Sequence, residues 1–180
     1  FTFSNLTDES GVKRSASLYT RIHPNGGSGT YAPTQEVMDM FDDDDKRKAI
    51  SVDMQGSNRV INKFDGGEVD SDPIIITRLA EMYLIAAEGK GLTGGLSRLN
   101  ELRKFRGLEP VAPVNDDEFI TAILRERRLE LLGEGFRWFD LVRTGRLERE
   151  TKLESQYNKL PIPTREMTLN KLLHQNSYWK

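Results

Sequence analysis

The sequence predicts a mainly α-helical fold with a small β-hairpin and irregular loops. From Asp72 onward, apolar residues recur at the three- and four-residue spacing of helices, and groups of glycines interrupt that spacing. Upstream, a short stretch alternates apolar and polar residues, which is typical of strands. Two helical hairpins in tandem favour packing of the tetratricopeptide kind, in which neighbouring hairpins bury faces that no pair buries alone.

The sequence is predicted to form a single domain, 1–180, and its composition differs between three parts of the chain. Residues 1–34 are polar and rich in glycine and serine, which is typical of a loop-rich lead-in. Residues 72–145 carry the helical spacing and form the predicted helical core. Residues 146–180 are expected to form an extended tail, because Pro161 and Pro163 favour extended backbone before them.

The first element after the lead-in is a predicted short helix from Gln35 to Phe41. Thr34 is suited to cap it, and Glu36 lies near the positive end of the helix dipole. The acidic run from Asp42 to Asp45 follows. It lacks the alternating ligands and the glycine of a calcium loop, so we interpret it as a solvated helix end.

The second element is a predicted β-hairpin. Ile50, Val52 and Met54 alternate with polar residues, and a second apolar group from Val60 to Phe64 follows a turn-prone Gly56 segment. A two-stranded sheet is therefore expected here.

The helical core is predicted to begin with a long helix near Pro73, a residue suited to a first helical turn. Apolar residues recur on two faces of this helix, so we expect it to be covered on two sides. One face carries Ile75, Leu79, Met82 and Ala86, and the other carries Ala80, Tyr83 and Ala87. The glycines from Gly89 to Gly95 then break the helix, and a second one resumes from Leu96 to Arg103, which predicts a helical hairpin.

A third helix is predicted to start at Asn115, which forms the outline of a capping box with Glu118. The helical spacing continues to about Leu132, where glycines interrupt it. One more short helix is expected from Phe136 to Val142, with Gly145 as its C-terminal cap.

Charge and composition exclude several classes of function. Lys and Arg total 26 against 28 Asp and Glu, and the net charge of −2 offers no strong field for nucleic acid. The absence of cysteine excludes disulfides and cysteine-ligated metals. No apolar run is long enough to predict a membrane-spanning helix. The start at Phe1 does not resemble a signal peptide, so the chain is expected to be an internal or processed segment.

One stretch carries a specific motif. A helix with Glu126-Arg127-Arg128 and Glu130 leads through Glu134-Gly135 into Arg137-Trp138-Phe139-Asp140-Leu141-Val142-Arg143-Thr144-Gly145. This order closely resembles the signature of the SusD/RagB family, in which Glu-Arg-Arg precedes Arg-Trp-x-Asp-Leu-x-Arg-x-Gly.

Further segments resemble the same family in the same order. They are Arg78 to Glu88, Leu99 to Leu108, and Leu160 to Pro163 with Gln175, Asn176 and Tyr178, and upstream Tyr31, Pro33-Thr34, Met40-Phe41 and Asp45-Lys46-Arg47. Family members are considerably longer and begin with a lipoprotein signal. The chain therefore resembles the C-terminal portion of a SusD-like protein, and the family's N-terminal half is expected to lie outside it.

The resemblance implies a non-catalytic protein that binds extracellular oligosaccharide at the outer-membrane surface without a cofactor. It also implies a lipid anchor in the missing N-terminal region and delivery of the glycan to a SusC-like TonB-dependent porin. Two alternatives stay open. One is a peptide- or protein-interaction module of a surface uptake complex, because helical-repeat surfaces commonly bind chains. The more remote one is a glycoside hydrolase.

Several carboxylates near the motif are candidates for hydrolysis, which needs one protonated acid and one ionised acid. Arginines lie close to them in sequence, and an acid that pairs with guanidinium stays ionised. The sequence therefore favours a structural network of ion pairs that fixes the third helix to the segment after it, and it indicates no catalytic residue. The predicted members of that network are Glu126, Arg127, Glu130, Arg137, Asp140 and Arg143.

Sugar binding needs an exposed aromatic ring that stacks on a pyranose, flanked by polar groups for its hydroxyls. The lead-in offers Tyr19, Arg21, His23 and Asn25, which are candidate glycan-binding residues on position alone. No metal site is expected, because the only two histidines, His23 and His174, are far apart in sequence.

Overall fold

The computed structural model describes residues 32–63 and 76–179. The chain divides into two compact units, Phe1–Gly135 and Phe136–Lys180. The described parts are rich in helix, and an antiparallel two-stranded sheet lies in the first unit. The prediction of a mainly α-helical fold with a small β-hairpin is confirmed.

The first unit opens with two short helices, α1 (Gln35–Asp39) and α2 (Lys48–Ser51). Thr34 Oγ1 accepts a hydrogen bond of 3.3 Å from the first turn of α1, which confirms the predicted cap. The acidic run between the helices is not wholly solvated, because Asp45 is only 3% exposed. The prediction of a solvated helix end is wrong for Asp45, since its carboxylate accepts two hydrogen bonds from the guanidinium of Arg47.

Strands β1 (Val52–Gln55) and β2 (Asn58–Ile61) form the predicted hairpin, with the first residue of β1 opposite the last of β2. Ile50 lies in α2 and not in a strand, because its backbone N–H donates to the carbonyl of Arg47 in a helical turn. Phe64, the predicted end of the second strand, lies outside the described residues.

Helix α3 (Leu79–Phe105) folds back on itself at Gly91, whose φ of 66° and ψ of −176° are not helical. A Cβ atom added to Gly95 would lie 1.9 Å from the carbonyl oxygen of Ala87. Eight residues of continuous helix would instead span about 12 Å. The arms on either side of Gly91 therefore run back along each other, and the predicted helical hairpin is confirmed.

Helix α4 (Asp116–Glu130) begins at the predicted cap. Asn115 Oδ1 accepts a 2.9 Å hydrogen bond from the backbone N–H of Glu118, and Glu118 in turn accepts one from the backbone N–H of Val114. α4 packs against α3. The core between them consists of Leu84, Ala87, Leu99, Leu102, Phe119 and Ile123.

The first arm of α3 differs from its prediction in two ways. It begins at Leu79 and not near Pro73, because residues 76–78 are not helical and Arg78 is extended, with its side chain reaching acids beyond the end of α4. Residues 64–75 lie outside the described part. The arm is also covered on one side only among the described residues, since α4 packs on the face of Leu84 and Ala87. On the other face Leu79, Met82 and Ile85 are exposed.

The second unit contains short helices joined by irregular segments. They are α5 (Arg137–Arg143), α6 (Leu147–Thr151) and α7 (Thr164–Leu169), with 3₁₀ turns at Ser155–Asn158 and Ser177–Trp179. Gly145, with φ of 68°, ends α5 by donating to the carbonyl of Val142, while Arg146 donates to the carbonyl of Leu141. The predicted glycine cap is thus confirmed.

The expected extended tail is wrong in part. Backbone around Leu160 to Pro163 is irregular and extended, but helix α7 starts directly after Pro163. The prolines constrain only the residues beside them, so the chain is free to turn helical at Thr164. None of the described helices is both long and apolar enough to cross a bilayer.

Candidate functional site

Charged side chains of the first unit gather at the C-terminal half of α4 and just beyond it. We call this group the charge cluster. It consists of Asp45, Arg47, Lys63, Arg78, Arg103, Arg106, Glu126, Glu130 and Glu134. The members come from five separate segments of the chain, so the fold and not local sequence brings them together.

Arg47 lies at the centre of the charge cluster and is only 4% exposed. Its guanidinium donates to both oxygens of Asp45 at 2.9 and 2.7 Å, and Nη1 lies 3.0 Å from Glu130 Oε2. Nη1 also lies 2.6 Å from Glu126 Oε1, an ionic contact whose angles do not suit a hydrogen bond. Burial alone would lower the pKa of Arg47, but the hydrogen bond to Asp45 and the nearby carboxylates raise it, so Arg47 stays charged.

The backbone beside Arg47 is fixed to the end of α3. Lys46 N–H donates to the carbonyl of Arg106 at 2.9 Å. Gly107, with φ of 83°, lies so close that an added Cβ atom would be 2.7 Å from the carbonyl oxygen of Asp44. Glycine permits both this conformation and this close approach.

Glu130, the last residue of α4, accepts hydrogen bonds from three arginines. Arg106 binds it bidentately, through Nε at 2.9 Å and Nη2 at 2.7 Å, and Arg78 Nη1 donates at 2.6 Å. Arg47 is the third. Burial alone would raise the pKa of Glu130, but the hydrogen bonds from Arg106 and Arg78 outweigh it and lower the pKa to about 2. Glu130 is therefore ionised at neutral pH.

Glu134 binds the side chains that precede and follow the stretch 64–77. Lys63 Nζ lies 2.5 Å from Glu134 Oε1, and Arg78 Nε donates to both Glu134 oxygens at 3.2 and 3.1 Å. Lys63 also donates to the backbone carbonyl of Glu130 at 2.8 Å. Lys63 and Arg78 thus both form ion pairs with the carboxylate of Glu134.

The remaining carboxylate of α4 in the charge cluster, Glu126, is fully buried. Arg103 Nη1 donates to its Oε2 at 2.8 Å, and Arg47 contacts its Oε1. Each glutamate of the charge cluster therefore contacts at least two cations. Glu130, whose pKa is lowered, stays ionised and does not serve as a proton donor at neutral pH. The arrangement is suited to holding segments together and not to acid–base chemistry.

The structure places the residues of the predicted network in both units. Glu126, Arg127 and Glu130 are buried on α4, and the two glutamates belong to the charge cluster. In the second unit Asp140 Oδ1 lies 2.9 Å from Arg143 Nη2, and Arg137 Nη2 lies 3.1 Å from Glu150 Oε2. That all six predicted members form a single network stays a prediction.

The candidate glycan-binding residues Tyr19, Arg21, His23 and Asn25 lie outside the described residues. Among the described residues, no group of three or more histidine, aspartate or glutamate side chains is arranged to hold a metal ion.

The principal partners of Glu130 were missed from sequence, because Arg47, Arg78 and Arg106 lie 24 to 83 positions away from it along the chain. A signal was present for all three. Arg47 and Arg78 each fall in a segment that resembles the SusD/RagB family, and Arg106 lies in the segment from Leu99 to Leu108, which resembles the same family. This could have marked them as candidates.

The second unit contains a cluster of aromatic rings formed by Tyr157, Tyr178 and Trp179. The rings of Tyr157 and Tyr178 meet edge to face with centroids 4.4 Å apart, and their hydroxyls are hydrogen-bonded. Trp179 lies 5.7 Å from Tyr157 and 5.6 Å from Tyr178, also edge to face. We call these three residues the aromatic cluster.

Comparison with known proteins points to one family. The profile of the SusD family matches residues 59–159. A SusD-like protein of Formosa agariphila is 41% identical over 91 residues, which make up 43% of this chain and 18% of that protein. The starch-binding protein SusD of Bacteroides thetaiotaomicron is 35% identical over 127 residues, 62% of this chain and 22% of that protein.

A solved structure with the same fold is surface glycan-binding protein A from Bacteroides thetaiotaomicron in complex with laminarihexaose. It superposes with a TM-score of 0.73 at 22% identity, over 96% of this chain and 49% of that chain. At this identity the likeness establishes the fold. The chain spans 18% and 22% of the two relatives named above and about half of this solved structure.

Proposed function

The chain belongs to the SusD family, and from that premise we propose that it binds extracellular oligosaccharide noncovalently and does not hydrolyse it. The observation that carries this proposal is the family match over residues 59–159, and a relative named for starch binding, 35% identical over 127 residues, supports it. The solved structure with laminarihexaose adds that a protein of this fold holds a glucan oligosaccharide.

The charge cluster supports the non-catalytic part of the proposal. A glycosidase needs a carboxylic acid that can protonate the leaving group and a second, free carboxylate. Glu126, Glu130 and Glu134 are each engaged by arginine or lysine, and the pKa of Glu130 lies near 2. Glu130 is therefore not suited to donate a proton at neutral pH, and Glu126 and Glu134 are ion-pair partners and not free carboxylates.

The family also supports a location and a partner. We place the protein at the cell surface, on the outer membrane, with a lipid anchor supplied by sequence outside the matched part. The oligosaccharide would pass to a SusC-like TonB-dependent porin. The net charge of −2 is compatible with neutral sugars as ligands, since it provides no strong attraction for polyanions.

We assign the first sugar contacts to the lead-in residues Tyr19, Arg21, His23 and Asn25. They combine a ring that can stack on a pyranose with side chains that can bind its hydroxyls. Replacing Tyr19 by alanine would remove the ring, whereas Tyr19→Phe would keep it as a matched control.

Calorimetric titration of the chain with maltohexaose, laminarihexaose and a mixture of short peptides tests the function. We expect heat of binding with at least one of the two glucans and no release of reducing sugar during prolonged incubation. Binding of peptides in the absence of binding to either glucan would overturn the proposal in favour of a peptide-interaction module. Release of reducing sugar would overturn its non-catalytic part.

A further inference from the structure

Hydrogen bonds between side chains and backbone groups hold the aromatic cluster in place. Trp179 Nε1 donates to the carbonyl of Lys159 at 2.8 Å, and Asn176 Nδ2 donates to the carbonyl of Leu160 at 2.6 Å. Gln175 bonds both the N–H and the carbonyl of Ile162, at 2.8 and 2.9 Å. The segment before α7 and the segment after it are thus joined side by side, and the rings need little further ordering to bind a ligand.

Two of the three rings remain open to solvent. Tyr178 is 39% exposed and Trp179 is 37% exposed, although both are large aromatic residues that contact each other. The indole N–H of Trp179 is already used by the backbone, so the free part of this ring is apolar. An apolar ring surface matches the C–H face of a pyranose.

The tyrosine pair adds hydrogen-bonding capacity at the edge of this surface. Tyr157 and Tyr178 share one hydrogen bond between their hydroxyls, which uses a single O–H and leaves the other hydrogen and several lone pairs available. The hydrogen bond with Tyr157 raises the pKa of Tyr178, so its hydroxyl stays protonated at neutral pH. A pyranose presents hydroxyl groups next to its apolar C–H face. The free O–H and lone pairs of the tyrosines can bind those hydroxyls while the neighbouring ring contacts the C–H face.

Few charged residues adjoin the aromatic cluster, although Glu154 lies close enough to Tyr178 to help raise its pKa. Across 155–163 and 174–179, Lys159 is the only lysine or arginine, and neither aspartate nor glutamate occurs. Asn158 and Ser177, which adjoin the rings in sequence, are exposed and polar. A neutral ligand with many hydroxyls suits these residues better than an anion or a cation does.

From these observations we propose that the aromatic cluster, through Tyr178 and Trp179, is a sugar-stacking surface of the second unit for neutral hexose oligosaccharides. This inference rests on the proposed function, since it names a contact surface for the same class of ligand. It is distinct in sequence from the candidates in the lead-in.

The test uses the chain with maltohexaose and laminarihexaose in calorimetric titrations. We expect Trp179→Ala to weaken binding about tenfold, because the stacking ring is lost, and Trp179→Phe to weaken it less. Leu172→Ala is the matched control, since Leu172 is an exposed side chain of the same unit outside the aromatic cluster, and its affinity should equal that of the wild type.

A second measurement guards against misfolding of the alanine variant. In a Trp138→Phe background Trp179 is the only tryptophan. Saturating glucan should then change its emission and protect it from acrylamide quenching. If the wild type binds a glucan and Trp179→Ala binds it with the same affinity, the inference is overturned and the proposed function stands. The same holds if a bound glucan leaves the emission of Trp179 unchanged. No binding of either glucan by the wild type would overturn the proposed function, and the inference with it.

Discussion

Arg47 and Glu130 are 83 positions apart in sequence, yet Arg47 Nη1 lies 3.0 Å from Glu130 Oε2. Both residues are nearly inaccessible to solvent, at 4% and 3% exposure. A buried ion pair is costly to break because the remaining partner keeps its charge without water around it. The contact therefore ties the segment before the β-hairpin to the end of α4.

We expect Glu130→Gln to lower the free energy of unfolding by roughly 3–5 kcal/mol, because it leaves three arginines without their shared carboxylate. Urea denaturation followed by circular dichroism measures this loss. Glu36→Gln is the matched control, since Glu36 forms an ion pair with Arg128 but its side chain is 71% exposed. That change should cost at most about 1 kcal/mol. Equal losses in the two variants would contradict the assignment of a buried clamp.

The stability should also depend on pH through Glu130. Its pKa is about 2 in the folded chain against an ordinary value of 4.5. A lowered pKa stabilises the folded state fully above the ordinary value, and the stabilisation is lost as pH falls from about 4.5 towards 2. Its size is about 3 kcal/mol.

Urea midpoints measured at several pH values between 7 and 2.5 would show this dependence. The difference between wild type and Glu130→Gln should be constant above about pH 5 and shrink steadily below it. A difference that stayed constant down to pH 2.5 would argue against Glu130 as the titrating group.

Gly95→Ala should destabilise the first unit by at least about 1–3 kcal/mol, because the new Cβ would overlap the carbonyl oxygen of Ala87 and force the arms of α3 apart. Gly89→Ala is the control within the same helical hairpin, since nothing lies within 4 Å of an added Cβ there. It should be neutral or stabilise by about 0.5–1 kcal/mol. Thermal unfolding of the two variants side by side distinguishes close packing from helix propensity.

Asn115→Ala should cost about 1 kcal/mol, because it removes the side-chain acceptor at the start of α4. Asn115→Ser keeps an acceptor in the same place and should remain close to the wild type. Chemical denaturation of the three proteins tests the cap. Identical stability of the alanine and serine variants would show that the first turn of α4 does not need a side-chain cap.

The features that sequence predicted correctly are local ones. Asn115 and Glu118 are three residues apart, and Gly145 acts on the turn of helix directly before it, so their geometry depends only on near neighbours. The helical hairpin was also predictable, because glycines after Ala87 permit both a reversal of the chain and a close approach of its arms.

The features that sequence did not predict depend on contacts across the fold. Arginines near Glu126 and Glu130 in sequence were the expected partners, but Arg47, Arg78 and Arg106 occupy that role for Glu130. Periodicity along the chain carries no information about such distant pairs. The burial of Asp45 was missed although its partner Arg47 is only two positions away, because Arg47 is itself buried among distant partners, Glu126 and Glu130.

The shared use of Glu134 by Lys63 and Arg78 has a consequence for the evolution of this chain. Lys63 and Arg78, the cations on either side of the stretch 64–77, bind the same carboxylate, so these two ion pairs use no side chain from the residues between them. Insertions and deletions between positions 64 and 77 would therefore remove neither ion pair, and related proteins could diverge in length there at little cost to stability.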